Sequence, residues 1–319
     1  MMPTNTLGPS KDDFVYVTYV VLKRSWFGES ESGLWAKVFS AETKKAPYLG
    51  HCILSVASLQ TSRPDSRTPR DRVSAYKHHV QASELFRKVT PIVTEQNWLA
   101  VLTFQGFVMV FEFTSQTYCT EAEFDVAKTL KVLRWNSKIG REAMPYFVCT
   151  KLWQVILKRT RGVDLPPDPA LQASLRTLGS AIENAAAGVR NDPAKLQRAK
   201  ICQEAFLVLC EWVDYCSSWP RSIDGYYYFA ARLQPEFLEL LDEEDGMALM
   251  VVLYWSVVLW RSPMPAVWKW AYRTAHFLMR ILQCRAEWCS LLEWPHRVLS
   301  MAAQPGSGAA PEATSDFQQ

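Results

Sequence analysis

Apolar residues recur at three- and four-residue intervals along most of this chain, and strand-like alternation is scarce. Such spacing lines up side chains on one face of a helix, so the pattern predicts an all-α protein. Trp268, Ala271, Tyr272, Ala275, Leu278, Met279 and Leu282 form one clean stripe, and Val267, Trp270, Phe277 and Ile281 widen it. A helix this apolar is expected to be covered on most sides. A second stripe, Tyr146, Cys149, Trp153, Ile156 and Leu157, ends at Arg161-Gly162 and the breaker Leu165-Pro166-Pro167-Asp168-Pro169. Less regular helices are predicted over 34–41, 47–60, 70–89, 96–112, 121–139, 170–187, 195–216, 225–241 and 283–300. Segments 14–22 and 101–113 are rich in β-branched or aromatic residues and could be strands. Helix is favoured for both, because nothing nearby supplies a pairing hairpin.

The longest apolar run, 247–260, is interrupted only by Ser256 and is bounded by Asp242-Glu243-Glu244-Asp245 and Arg261. It falls short of the roughly 20 residues that span a bilayer, which predicts a buried helix and no membrane span. The acids before it read as a helix cap favoured by the helix dipole, ahead of any general-acid role. Loops are expected at 61–70, 162–169 and 188–193. No internal break is long enough for a free linker and no repeat is visible. The organisation expected is a disordered stretch over 1–13, a single compact multi-helix array over 14–300, and a disordered tail over 301–319 rich in Ala, Gly, Pro and Ser.

A chain of 319 residues can bury one large core or two modest ones without disulfides. Its 13 Trp, 12 Tyr and 15 Phe exceed what a minimal core needs, which points to a lined cavity or a packed interface. A net charge of +3, with acids and bases intermixed, gives no electrostatic footprint for nucleic acid. No secretory leader is expected from the polar start of the chain, and with it a nuclear or cytoplasmic location is expected.

The cysteines, Cys52, Cys119, Cys149, Cys202, Cys210, Cys216, Cys284 and Cys289, include no C-x-x-C pair. On one helix Cys202 and Cys210 would stand about 12 Å apart and Cys210 and Cys216 about 9 Å. Both separations exceed the roughly 7 Å a disulfide tolerates. Cys202, Phe206, Leu209, Val213 and Cys216 instead share an apolar stripe and read as core. No metal site and no cofactor are expected. Nor is there a nucleophile elbow, a phosphate loop, a dinucleotide fingerprint or a zinc-protease motif, so no catalytic residue is assigned.

His78 and His79 are adjacent, point about 100° apart on a helix, and cannot chelate one ion together. Lys269, Arg273, His276 and Arg280 make a narrow basic line. It is either a solvent-facing stripe or a cationic strip for an acidic partner or a ligand carboxylate. Tyr226-Tyr227-Tyr228 must point in three directions. The aromatic C-terminal third, above all Tyr254, Trp255, Trp268, Trp270 and Phe277, carries the most information. Large rings on consecutive helices are either plain core or the wall of an apolar pocket, and both readings stay open.

The stretch Met247-Ala248-Leu249-Met250-Val251-Val252-Leu253-Tyr254-Trp255, then Val267-Trp268-Lys269-Trp270, Ile281-Leu282, Trp288 and Trp294-Pro295, resembles the end of the regulatory domain of fungal zinc-cluster transcription factors. The sterol-uptake regulators are the subgroup it is most similar to. Leu34-Trp35, the run from Tyr48 to Leu59, and Tyr76, His79, Ala82 and Phe86 follow the same order. The resemblance covers roughly 14–300. It implies an all-helical domain that binds a hydrophobic small molecule, a sterol or terpenoid, in a C-terminal pocket and mediates dimer or activator contacts. The family's six closely spaced cysteines are missing, since Cys52 is the first cysteine and stands alone. This chain is therefore not expected to contact DNA itself; the module was lost or was omitted from the gene as read. A rival from another class is an enzyme of secondary metabolism, a cyclase or pericyclase reusing the apolar pocket to hold a near-attack conformer.

Overall fold

The computed structural model describes residues 11–25, 29–61, 69–89, 92–150, 154, 168–220 and 223–302. Positions 62–68 of the loop expected at 61–70, the stripe positions Trp153, Ile156 and Leu157, the breaker before Asp168, and the ends 1–10 and 303–319 lie outside those residues, while Thr61 ends α3 and Pro69 and Arg70 open α4. The protein is all-α, with thirteen α-helices, one 3-10 helix and no strand among the described residues.

In chain order the helices are α1 (Lys11–Ser25), α2 (Glu29–Glu42), α3 (Pro47–Thr61), α4 (Pro69–Lys88), α5 (Trp98–Tyr118), α6 (Val126–Phe147), α7 (Pro169–Gly188), α8 (Pro193–Tyr215), α9 (Ile223–Arg232), α10 (Pro235–Asp242), α11 (Gly246–Leu259), α12 (Pro265–Gln283) and α13 (Glu293–Ala302), with the 3-10 helix (Ala286–Leu292) before α13. Six of the thirteen begin on proline, whose fixed φ suits the first turn and whose missing N–H would find no partner there anyway. Asp168, Asp192 and Asp245 cap α7, α8 and α11 by accepting from backbone N–H groups of the first turn.

The two ambiguous segments, 14–22 and 101–113, are helical, within α1 and α5. The predicted helix 225–241 is two helices, because Pro235 restarts the chain after Leu233-Gln234. The predicted helix 283–300 is a 3-10 helix followed by α13. At the ends, α1 starts at Lys11, three residues inside the stretch expected to be disordered, and α13 runs to Ala302.

The helices fall into two compact units. Unit 1 holds α1 to α5 and the second part of α6. Unit 2 holds the first part of α6 and α7 to α13, apart from the first turn of α12. In unit 1, α3 and α4 pack more extensively than any other helix pair. Ala75 and Ala82 are fully buried on α4, and side chains that small let two helix backbones come close. Around them Phe86 stacks on Phe104 with centroids 3.9 Å apart, and Tyr48 meets both rings edge-on. Helix α5 is the one described helix long and apolar enough to cross a membrane by length and composition, and 83% of its most apolar window is buried inside the protein.

Unit 2 is built around α11. Every residue from Ala248 to Leu259 is buried, so this helix is enclosed on all faces. Asp245 caps it and also receives Arg198 of α8, whose other nitrogen reaches Glu243. Helices α7 and α8 approach tightly at Gly179, where a Cβ would stand 2.9 Å from the Phe206 ring. A second polar tie closes the far end. The Arg261 guanidinium pairs with Asp168 at 2.5 Å and lies over the rings of Trp219 and Trp294.

Candidate functional site

The aromatic positions singled out in the sequence come together in unit 2. Tyr254, Trp255 and Trp270 are completely buried, because α11 is enclosed and α12 turns its Trp270, Ala271 and Thr274 face inward. Trp255 sits at the centre of the ring cluster. Its centroid is 5.1 Å from Phe229, stacked, 5.7 Å from Trp270, edge-on, and 6.2 Å from Trp212. These are the separations at which aromatic pairs attract beyond their burial.

Neighbouring residues on α11 face different environments. The Tyr254 hydroxyl stands 2.7 Å from the Ser174 hydroxyl and donates to the Leu291 carbonyl at 2.9 Å, tying α11 to α7 and to the 3-10 helix. Burial pushes the phenol up to about 12, against a smaller opposing effect of the Ser174 bond. One residue on, the Trp255 indole nitrogen is buried with no hydrogen-bond partner. The Trp212 indole, by contrast, donates to the Gly225 carbonyl at 2.6 Å. A second orphan is the Thr274 hydroxyl, fully buried one turn beyond Trp270 on α12. Thr274 escapes a sequence reading that follows apolar spacing alone. The signal for it is a hydroxyl placed four residues after Trp270 on a face otherwise made of Ala, Leu and Met.

Trp268 and Phe277 do not join the cluster. Trp268 is 37% exposed, with the Lys269 ammonium over its ring. Phe277 meets Phe124 edge-on at 4.9 Å. The basic line lies along the outer side of α12 and finds partners within unit 2. Arg273 lies over the Phe124 ring, Arg280 pairs with Glu121 at 2.8 Å, and His276 packs against Tyr272. Burial, followed by the nearby Arg280 and His296, holds the His276 imidazole below its ordinary range.

The three tyrosines diverge. Tyr226 is buried and accepts from Ser262, Tyr227 is raised well above the usual phenol range by burial, and Tyr228 stacks on Tyr215 beneath Arg232. Cys52, Cys119 and Cys202 are buried, Cys210 and Cys216 are half-buried, and Cys149, Cys284 and Cys289 are exposed; all are free thiols. No group of three or more potential metal ligands occurs among the described residues. His78 and His79 point apart: His79 stacks on Phe111 at 4.0 Å, while His78 meets His51 of α3.

No family model matches this chain, and neither a curated protein nor a solved structure matches it.

Proposed function

We propose that this chain is a regulatory, ligand-sensing protein whose aromatic cluster in unit 2 takes a hydrophobic small molecule carrying a hydrogen-bond acceptor. It acts through a protein partner or a second copy of itself, in the nucleus or cytoplasm, without contacting DNA directly. The observation that supports this reading is the Trp255 indole N–H, fully buried among rings and without an acceptor. A buried donor left unpaired costs on the order of 1–3 kcal/mol, and an apolar ligand with one carbonyl or hydroxyl oxygen would recover that cost on entering. The Thr274 hydroxyl offers a second handle one turn from Trp270. A sterol or terpenoid has this chemistry, a rigid hydrocarbon body bearing few oxygens.

The test is native mass spectrometry of freshly purified protein, followed by thermal shift against a panel of sterols and terpenoids. Wild type is expected to carry or gain an apolar ligand. Trp255→Phe, which keeps a ring and removes the N–H, is expected to fold and to bind at least tenfold more weakly. A protein that stays empty and unshifted across the panel overturns the reading and leaves the cluster as core. Turnover of the bound molecule would move the chain to the cyclase class.

A further inference from the structure

The ring nitrogens Nδ1 of His51 on α3 and His78 on α4 lie 3.0 Å apart, and the ring centroids are separated by 5.3 Å. The excess of the centroid separation over the nitrogen separation is two centroid-to-atom radii. The two nitrogens therefore point almost straight at each other. This is the geometry of an in-line N–H···N bond between two neutral imidazoles, one donating and one accepting. It does not suit a chelated metal, whose two lone pairs must converge off that line on an ion about 2 Å from each nitrogen.

From this we propose that His51 and His78 form a one-proton clasp that ties α3 to α4 at neutral pH and releases them on acidification. One proton fits between the nitrogens and makes a bond. The first proton taken up leaves an imidazolium donating to a neutral imidazole that carries its own proton on Nε2, so the bond persists; a second puts N–H on both Nδ1 atoms, and two imidazolium donors then face each other at contact distance. The seam they hold joins the most extensively packed helix pair of the protein, and both rings are only half-buried, so solvent protons reach them.

Titratable groups on the surrounding helices have other partners, are buried or face solvent. On α3, Tyr48 lies against Phe86 and Phe104, and Cys52 is buried with its thiol held far above its ordinary range. On α4, His79 is stacked on Phe111, and Lys77, Glu84, Arg87 and Lys88 are exposed. From α1, Arg24 reaches the Gln60 carbonyl at the end of α3. From α2, Glu42 pairs with Lys45, and Glu112 of α5 is buried. The His51 imidazole is held below its ordinary value first by burial and then by the neighbouring His78. The unfolded chain therefore takes up a proton at His51 before the folded one does. Stability is lost as pH falls through about 6.5.

The test compares wild type with His78→Asn, whose amide keeps a hydrogen-bonding group near the Nδ1 position but does not titrate. Thermal unfolding is followed from about pH 7.5 to about pH 5.5, with amide exchange of α3 and α4 measured at both ends. Wild type is expected to lose several degrees more than the variant over this range, and exchange along α3 and α4 to quicken at least tenfold more in wild type. An equal pH slope in both proteins overturns the clasp. Should His78→Asn not fold, NMR titration of wild type decides: a His51 that titrates at the free-histidine value, with no response at His78, overturns it.

Discussion

Truncating Trp255 to alanine measures how firmly the surrounding rings hold the indole whose N–H is offered to a ligand. Its side chain is fully buried and touches Phe229, Trp270 and Trp212. An indole removes about 200 Å² from water, worth about 5 kcal/mol at 25 cal/mol per Å². Rings on three sides cannot collapse into the gap, so a loss of about 3–5 kcal/mol is expected, in line with large-to-small core substitutions generally. Deleting the indole N–H adds no hydrogen-bond loss, because that group has no partner. Trp268→Ala is the internal comparison. At 37% exposure its removal leaves an indentation that water fills, and about 1–2 kcal/mol is expected. The assay is urea unfolding followed by far-UV circular dichroism, reading the midpoint at unchanged slope and fitting separate transitions if the two units melt apart. A Trp255→Ala loss below about 1 kcal/mol, or one smaller than that of Trp268→Ala, would refute the reasoning, since it would mean the three rings do not hold the indole in place.

Three further outcomes can be measured in the same way. Tyr254→Phe strips the hydroxyl from the Ser174 and Leu291 bonds and strands the buried Leu291 carbonyl, for an expected loss of about 2 kcal/mol in chemical denaturation. Gly179→Ala places a methyl 2.9 Å from the Phe206 ring, and because that ring is itself nearly buried, overpacking is expected to cost about 1–3 kcal/mol; an unchanged melting temperature would show that the ring swings aside freely. His276 has its folded value depressed by burial and by Arg280 and His296, so the folded state resists a proton that the unfolded state accepts. Its share of stability is therefore present above about pH 6.5 and declines as pH falls toward the folded value, and His276→Gln is expected to show a shallower acid decline than wild type.

Much of the fold is legible in the pattern of residues. Three- and four-residue apolar spacing announces helices, and prolines and aspartates mark where several begin, because both act through the local backbone of the first turn. The enclosed α11 is readable too, since an apolar run bounded by four acids and an arginine has only the protein interior to face. What the spacing misses are partners distant in sequence. Trp255 and Trp268 look alike along the chain, yet one is central and the other lies at the surface beside Lys269, because only the rings that α8, α9 and α12 bring against α11 decide which indole is covered. The Tyr254 bond to Ser174 spans 80 residues, and the His51 and His78 pair spans 27 across a helix seam. Neither leaves a local trace. The sequence by itself determined the helical class, the caps and the residues too apolar to face water, all set within a turn or two of backbone. Tertiary structure alone decided which buried donors found acceptors and which, like the Trp255 N–H, did not, because hydrogen-bond satisfaction depends on where the other helices end up.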